Sequence, residues 1–384
     1  MSYTIYLDNA ATTRLDAEVL ESMMPYLTDY FGNPSSTYTH GRSSRIAIET
    51  ARKSVAQLLG TQPSSIYFTS GGTESNNTAI AAAIRDLGCT CIITSPIEHH
   101  AVLHTAEYYG RQNNLPVCLV ALNSEGEVDY SDLERILAEQ TSQGHKCLVS
   151  LMHANNEIGS LLDVKRAGDL CAAYQAIFHS DCVQTVGHYP LNLSELNVHF
   201  ISGAGHKFHG PKGVGILYVS PSLQIQPLIY GGGQERNMRA GTENVYGIVG
   251  FGKALELAMQ SYKQESSYIG GLKNYMKEKL VQAIPGVSFN GPQNSLYTVL
   301  SVCFPKTPES DMLLIGLDMQ GICVSGGSAC SSGSGGSHVI KALGKSGECN
   351  TIRFSFSKYN NKEEIDQVVE VLRSTLSTKE AMAV

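Results

Sequence analysis

No apolar run in this chain approaches the roughly 18 to 20 residues that a membrane-spanning helix needs, so no span is expected. The N-terminus, Met1-Ser-Tyr-Thr-Ile-Tyr-Leu-Asp8, lacks a basic region followed by an apolar core. No secretory signal is therefore expected, and the expected compartment is the cytoplasm. There is no block of Lys and Arg, and the formal net charge is -7, a poor match to nucleic acid. The ten cysteines include no C-x-x-C pair, which argues against a structural zinc site and a disulfide framework. Most of them lie in apolar runs, such as Cys118 in Val-Cys-Leu-Val, Cys147 in Lys-Cys-Leu-Val and Cys303 in Val-Cys-Phe. They read as small buried hydrophobes. No internal repeat is visible, and the only low-complexity stretch is 325–337.

What remains is a globular composition, with 42% hydrophobic and 16% charged residues in 384. That length suggests about two domains. A short strand over 4–7 is followed by helices over 16–30 and 43–59, the second ending at Gly60. Strands and helices then alternate. Strands at 66–69, 91–94, 117–121 and 148–152 precede helices over 73–86, 100–112, 131–139 and 165–174. Such alternation predicts an α/β fold with a mostly parallel sheet covered on both faces, and ligands beyond the strand C-termini. After about Glu243 comes a long helix to about Ala283. Strands at 287–289, 299–304, 322–324 and 351–357 follow, and a helix over 363–376 closes the chain. The expected division is a large domain, 16–258, and a smaller α+β domain from 1–15 and 259–384.

Asp181-Cys-Val-Gln184 follows the apolar run 176–178, and Gly205-His206-Lys207 comes about a strand and a loop later. A carboxylate and a lysine at strand ends suit pyridoxal 5'-phosphate (PLP). The lysine can hold the aldehyde as a Schiff base, and the carboxylate can keep the pyridine nitrogen protonated. Alone, each has a plainer reading, as a turn lysine and a helix-capping aspartate.

Other motifs bear on the choice. Ser70-Gly-Gly-Thr73 lies between a strand and a helix, where free amides attract an anion or simply form a capping turn. It lacks the Gly-Lys-Ser/Thr of a nucleotide loop. His99, after Glu98 at a strand end, suits stacking on a cofactor ring or capping a helix. Cys330 sits in Ser-Gly-Gly-Ser-Ala-Cys-Ser-Ser-Gly, a segment with little side chain to bury it. A thiol there suits a nucleophile that reaches into a site and swings out. Arg353, in a strand-like run, suits a bidentate hold on a carboxylate or a structural salt bridge.

As a set these residues resemble the cysteine desulfurases of NifS/IscS type, PLP enzymes of fold-type I in the class V aminotransferase family. The resemblance runs nearly end to end. It rests on Tyr-Leu-Asp8-Asn-Ala-Ala, Phe-Gly-Asn33-Pro-Ser-Ser, Thr-Ser-Gly-Gly-Thr73-Glu-Ser-Asn-Asn, Glu-His99, and Ala-Asn155-Asn-Glu-Ile-Gly. It continues through Ser-Asp181-Cys-Val-Gln184, Gly-His206-Lys207, Arg239-Ala-Gly-Thr242, Ser-Ala-Cys330 and Ile-Arg353-Phe-Ser. The Cys330 loop is similar to the NifS/IscS class rather than the SufS-like class.

The resemblance implies a seven-stranded, mostly parallel sheet in the large domain and a set of residue roles. Lys207 would hold PLP, Asp181 the ring nitrogen, Gln184 the ring hydroxyl, and His99 would stack on the ring. Gly72, Thr73 and His206 would hold the phosphate. Thr242 would reach the phosphate of a partner subunit, implying a homodimer. Asn155, beside the cofactor, and Arg353 would orient the carboxylate of the substrate, L-cysteine. Lys207 would take the α-proton, and the Cys330 thiolate would attack the substrate sulfur. Alanine would leave, and Cys330 would carry a persulfide to an Fe–S scaffold protein or another sulfur acceptor. No dedicated metal site is implied, though Cys330 could transiently ligate an Fe–S cluster on a scaffold.

The chain departs from the family in three places. Ala204 stands where a serine usually contributes a phosphate bond, with Ser202 as a possible substitute. Tyr38 and His40 replace the usual histidine spacing after Asn33-Pro-Ser-Ser. The chain ends soon after its last helix, without the longer tail of IscS-type members, so docking on a scaffold by such a tail is not expected. A selenocysteine lyase or aminotransferase on the same fold, and a cofactor-free sulfur carrier, are the alternative readings.

Overall fold

The computed structural model describes residues 4–326, 336–345 and 347–376. In chain order the elements are β1 (Ile5–Tyr6), α1 (Ala17–Thr28), α2 (Thr39–Leu58), β2 (Ile66–Thr69), α3 (Gly72–Arg85), β3 (Cys91–Thr94), α4 (His100–Asn113) and β4 (Val117–Leu119). There follow α5 (Tyr130–Ser142), β5 (Cys147–Ser150), α6 (Val164–Ala173), β6 (Ile177–Asp181), β7 (Phe200–Ala204), β8 (Gly215–Val219) and α7 (Val245–Ala283). The chain closes with β9 (Ser288–Asn290), β10 (Val299–Pro305), α8 (Leu313–Met319), β11 (Ile322–Cys323), α9 (His338–Ala342), β12 (Cys349–Ser355) and α10 (Lys362–Leu376). Most expected elements lie within a few residues of these bounds. The short helices α8 and α9 were not expected from the sequence, having too few turns to establish a period.

Local chemistry sets several boundaries. Asp16 caps α1 by accepting from Glu18 N, and Gly60 takes the left-handed conformation just past α2, at a φ of 64°. The main sheet has seven strands in the order β2-β8-β7-β6-β5-β3-β4. β8 alone runs antiparallel to its neighbours, so the sheet is mostly parallel, as expected. Strands β3, β5, β6, β7 and β8 are buried along their whole length, which explains their continuous apolar character. One face packs under α2, α5, α6 and the first half of α7, and the other under α3 and α4.

A second core gathers Ile5 and Leu7 with Ile269, Leu272, Met276 and Leu280 of α7, the β10–β12 pair and α10. The N-terminal strand belongs to this unit through the parallel β1–β11 pair. Helix α7 therefore passes from one core to the other without a break. Ser325, beside β11, bridges to Arg353 of β12.

One expectation about the cysteines fails. Cys303 and Cys349 are joined by a disulfide, with Cα atoms 5.6 Å apart and a sequence separation of 46. Antiparallel pairing sets Cys303 opposite Thr351 and Pro305 opposite Cys349, so the two cysteines are diagonal neighbours on one sheet face. That relation belongs to strand register and leaves no trace in local spacing. Cys118, on the edge strand β4, is only half-buried, whereas Cys89, Cys91, Cys147, Cys171 and Cys182 are buried.

Candidate active site

A cavity of about 250 Å³ lies at the C-terminal ends of β6 and β7. It brings together Gly72, Thr73, His99, Asp181, Gln184, His206, Lys207 and Arg353 from separate parts of the sequence. Its position follows from the topology, because strands of a parallel sheet end on one side and the loops there converge.

Asp181 is the last residue of β6 and is buried. Its Oδ1 accepts from Val183 N at 3.0 Å, and its Oδ2 accepts from Asn76 Nδ2 at 2.6 Å. Asn76 also lines the cavity and was missed by the sequence reading. Its clue was the helical spacing, which puts it one turn after Thr73 on α3. Lys207 ends the tight turn Gly205–Lys207 after β7, and its Nζ donates to Ala10 O at 2.6 Å and Ala11 O at 2.9 Å. The same Ala10 carbonyl accepts from Gln184 Nε2 at 3.1 Å. Carbonyls of the N-terminal segment thus hold two cavity residues in place.

The end of the cavity at α3 is shaped for an anion. Gly71 precedes the helix and no side chain caps it, so the first-turn amides are left for a ligand. A Cβ on Gly72 would run into Val183 Cγ2, so the close approach of backbone to this cavity requires glycine. His206 Nδ1 pairs with Thr12 Oγ1 at 3.1 Å. Burial, reinforced by the charges of Lys207 and Lys212, lowers its pKa to about 4, so the ring is neutral at pH 7. Ala204 lines the cavity, while Ser202 is fully buried and its Oγ pairs with His179 Nε2 at 3.1 Å. Ser202 therefore does not replace the serine hydroxyl that Ala204 lacks. His40 stacks on Phe31 with ring centroids 5.6 Å apart, and neither lines the cavity.

His99 caps a helix and borders the cavity. Its Nδ1 accepts from Ala101 N at 3.1 Å as the cap of α4, while the ring lines the cavity. Because Nδ1 accepts, the neutral ring carries its proton on Nε2. Burial pulls the ring's pKa below its ordinary value; Asp181 opposes that shift and Lys207 adds to it. The preceding Glu98 is buried, and burial raises its carboxyl to about 8. Its Oε1 accepts from Met152 N at 3.0 Å and Ser95 Oγ at 2.7 Å.

Arg353 makes a salt bridge at the edge of the cavity. It donates from Nη2 to Asp8 Oδ1 at 2.7 Å and from Nη1 to Asn156 O at 2.9 Å. Its buried Nε has no partner among the described residues, and the side chain lines the cavity. Thr242 is exposed and lies outside this chain's own cavity.

Asn155 requires a correction. Its amide is fully buried and donates to Ile97 O at 2.8 Å, while its Oδ1 accepts from Glu157 N and Ile158 N at 2.8 and 2.9 Å. These bonds fold the turn that presents its neighbours Ala154 and Asn156 to the cavity, and Asn155 itself does not line it. Cys330 lies outside the described residues. The residues flanking its segment are tied to the site. Ser325 exchanges backbone hydrogen bonds with Arg353, and His338 Nε2 bonds Glu98 O at 2.9 Å.

These residues fit pyridoxal phosphate. A glycine-lined, uncapped helix start suits the phosphate, an anchored carboxylate suits a ring nitrogen, and the lysine borders the same cavity.

The Aminotransferase class-V family profile matches residues 5–368. The chain is 44% identical over 379 residues to a protein of Dictyoglomus turgidum named cysteine desulfurase IscS, covering 97% of this chain and 94% of that one. Among solved structures, a NifS-like protein superposes with a TM-score of 0.89 at 37% identity, covering 98% of this chain and 100% of that one. A structure described as SspA in complex with cysteine matches with a TM-score of 0.80 at 32% identity, covering 93% and 100% respectively.

Proposed function

The chain belongs to the aminotransferase class-V family, and from that premise we propose that it is a pyridoxal-phosphate-dependent cysteine desulfurase. It converts L-cysteine to L-alanine and takes the sulfur on Cys330 as a persulfide. The observation that carries this reading is a single cavity holding Lys207, Asp181, His99 and Arg353, with both flanks of the Cys330 segment tied beside it.

Bound PLP supplies an electron sink that labilises bonds around the substrate α-carbon. Lys207 would hold the cofactor, and its Nζ would take the α-proton of the substrate. Asp181, fixed by Asn76, would pair with the ring nitrogen. Gly72, Thr73 and the neutral His206 would hold the phosphate, and His99 would stack on the ring. Arg353 binds the substrate carboxylate. The Cys330 thiolate attacks the substrate sulfur, so one C–S bond breaks and one S–S bond forms. The atoms balance as cysteine plus thiol giving alanine plus persulfide, with the electron pair of the broken bond left on carbon and protonated there.

We assign a homodimer, supported by an exposed Thr242 and by exposed apolar side chains nearby in sequence, including Tyr230 and Tyr246. The persulfide passes to an Fe–S scaffold protein or another thiolation acceptor. The compartment we assign is the cytoplasm. The test is alanine formation from L-cysteine by the PLP-loaded protein and by its Cys330→Ala variant. Alanine from the first alone supports the assignment, and equal turnover by both refutes the role of Cys330.

A further inference from the structure

We propose that His188 is a positioning residue for Lys207, holding the lysine's backbone so that its Nζ is directed at the cofactor. The proposal rests on the PLP reading above and adds to it a residue that does not line the cofactor cavity.

Lys207 has two soft backbone dihedrals, and each depends on the orientation of a flanking peptide plane. The plane before it is pinned at His206 O, which accepts from Thr13 N at 2.9 Å and from Thr13 Oγ1 at 3.0 Å. The plane after it is pinned from both sides. Lys207 O accepts from His188 Nε2 at 3.0 Å, and Phe208 N donates to Gly205 O at 3.2 Å. Two residues beyond Lys207, His209 takes a φ of 64°, which costs free energy for a residue with a Cβ. Thr13 Oγ1 holds it there by accepting from His209 N at 2.8 Å. A cavity of about 20 Å³, room for about one water, lies against this turn and is lined by His188, Lys207, Phe208 and His209. Packing is incomplete there, so the hydrogen bonds have the larger part in holding Lys207.

The partners of His188 fix its chemistry. A carbonyl oxygen only accepts, so Nε2 carries the proton. Burial lowers the ring's pKa to about 4, so the ring is neutral at pH 7 and its Nδ1 accepts from Tyr297 Oη at 3.1 Å. The same hydroxyl lies 3.2 Å from His188 O. Tyr297 precedes β10, and its ring meets the imidazole edge-on with centroids 5.9 Å apart. His188, in the loop after β6, is thus a rigid spacer between the small sheet and the turn that carries Lys207.

Two polar variants separate these contacts. The amide nitrogen of glutamine falls near the place of Nε2, and that of asparagine near the place of Nδ1. His188→Gln therefore keeps the bond to Lys207 O, and His188→Asn loses it. Cofactor-free protein is mixed with PLP and quenched with borohydride at intervals, and the reduced adduct on Lys207 is followed by mass spectrometry. The adduct is expected to form at close to the wild-type rate in His188→Gln and about ten-fold more slowly in His188→Asn. With L-cysteine, His188→Asn should lower kcat by about ten-fold and leave KM within about two-fold, because Arg353 keeps its own partners. Equal adduct rates and equal kcat in the two variants would overturn the positioning role, whatever their urea midpoints. If His188→Asn does not fold, Tyr297→Phe serves. It frees the far side of the ring and should slow the adduct by about three-fold, and an unchanged rate would overturn the proposal. No adduct on Lys207 of the wild type would instead overturn the PLP reading beneath it.

Discussion

Asn76 donates from Nδ2 to Asp181 Oδ2 at 2.6 Å, while Asp181 Oδ1 is occupied by Val183 N, so the carboxylate is held on both oxygens. A carboxylate that must sit under a ring nitrogen gains from being fixed before the ring arrives. Asn76→Ala is expected to weaken PLP binding by about 1.5 to 3 kcal/mol, the range for a hydrogen bond to a charged group. An equilibrium titration of the cofactor-free protein reads this, and an unchanged dissociation constant would refute the role.

Gly72 and Val183 make a second test. A methyl group on Gly72 meets Val183 Cγ2, so Gly72→Ala overpacks the phosphate end of the cavity. The expected cost is about 1 to 3 kcal/mol in PLP affinity. Val183→Ala removes the obstructing methyl, and the double variant should recover part of the loss. Additive losses in the two variants would show that the clash is not the cause.

The Glu98 carboxyl, raised to about 8 by burial, gives a pH prediction. Its folded-state pKa lies above its unfolded value, so the stability tied to its proton is fully present below the unfolded pKa. That stability is lost as pH rises from there through about 8. Glu98→Gln does not titrate. Its stability relative to the wild type should therefore climb between acidic pH and about pH 8 and then level off. Urea midpoints at several pH values report it, and parallel profiles for the two proteins would contradict it.

The buried Arg52–Glu235 pair predicts a larger effect on folding. Arg52→Met leaves the Glu235 carboxylate buried without its guanidinium partner. Breaking such a pair from one side costs about 3 to 5 kcal/mol. Denaturant unfolding of the cofactor-free protein measures this, and a loss below about 1 kcal/mol would place the pair among weak surface contacts.

Much of this architecture is legible in the sequence because it rests on local pattern. Buried strands such as β3 and β5 are unbroken apolar runs, and Asp16 and Gly60 mark helix ends by their own chemistry. The positions of Asp181 and Lys207 follow from strand ends. What could not be read depends on contacts between distant segments. The Asn76–Asp181 bond spans 105 residues, and the Lys207 ammonium is received by backbone carbonyls of Ala10 and Ala11, which side-chain motifs do not show. The Cys303–Cys349 disulfide depends on the register of β10 and β12. The turn bonds of Asn155, and the way they bring Ala154 and Asn156 to the cavity, are likewise not legible from the motif alone.

The central claim is that sulfur leaves L-cysteine for Cys330. The direct measurement is mass spectrometry of the PLP-loaded protein after L-cysteine is added without an acceptor thiol and the reaction is quenched by alkylation. The account predicts that the peptide bearing Cys330 gains one sulfur atom as alanine appears, and that Lys207→Ala yields neither. Alanine formed while Cys330 stays unmodified, or sulfur found on another cysteine in a Cys330→Ala variant that turns over normally, would contradict it.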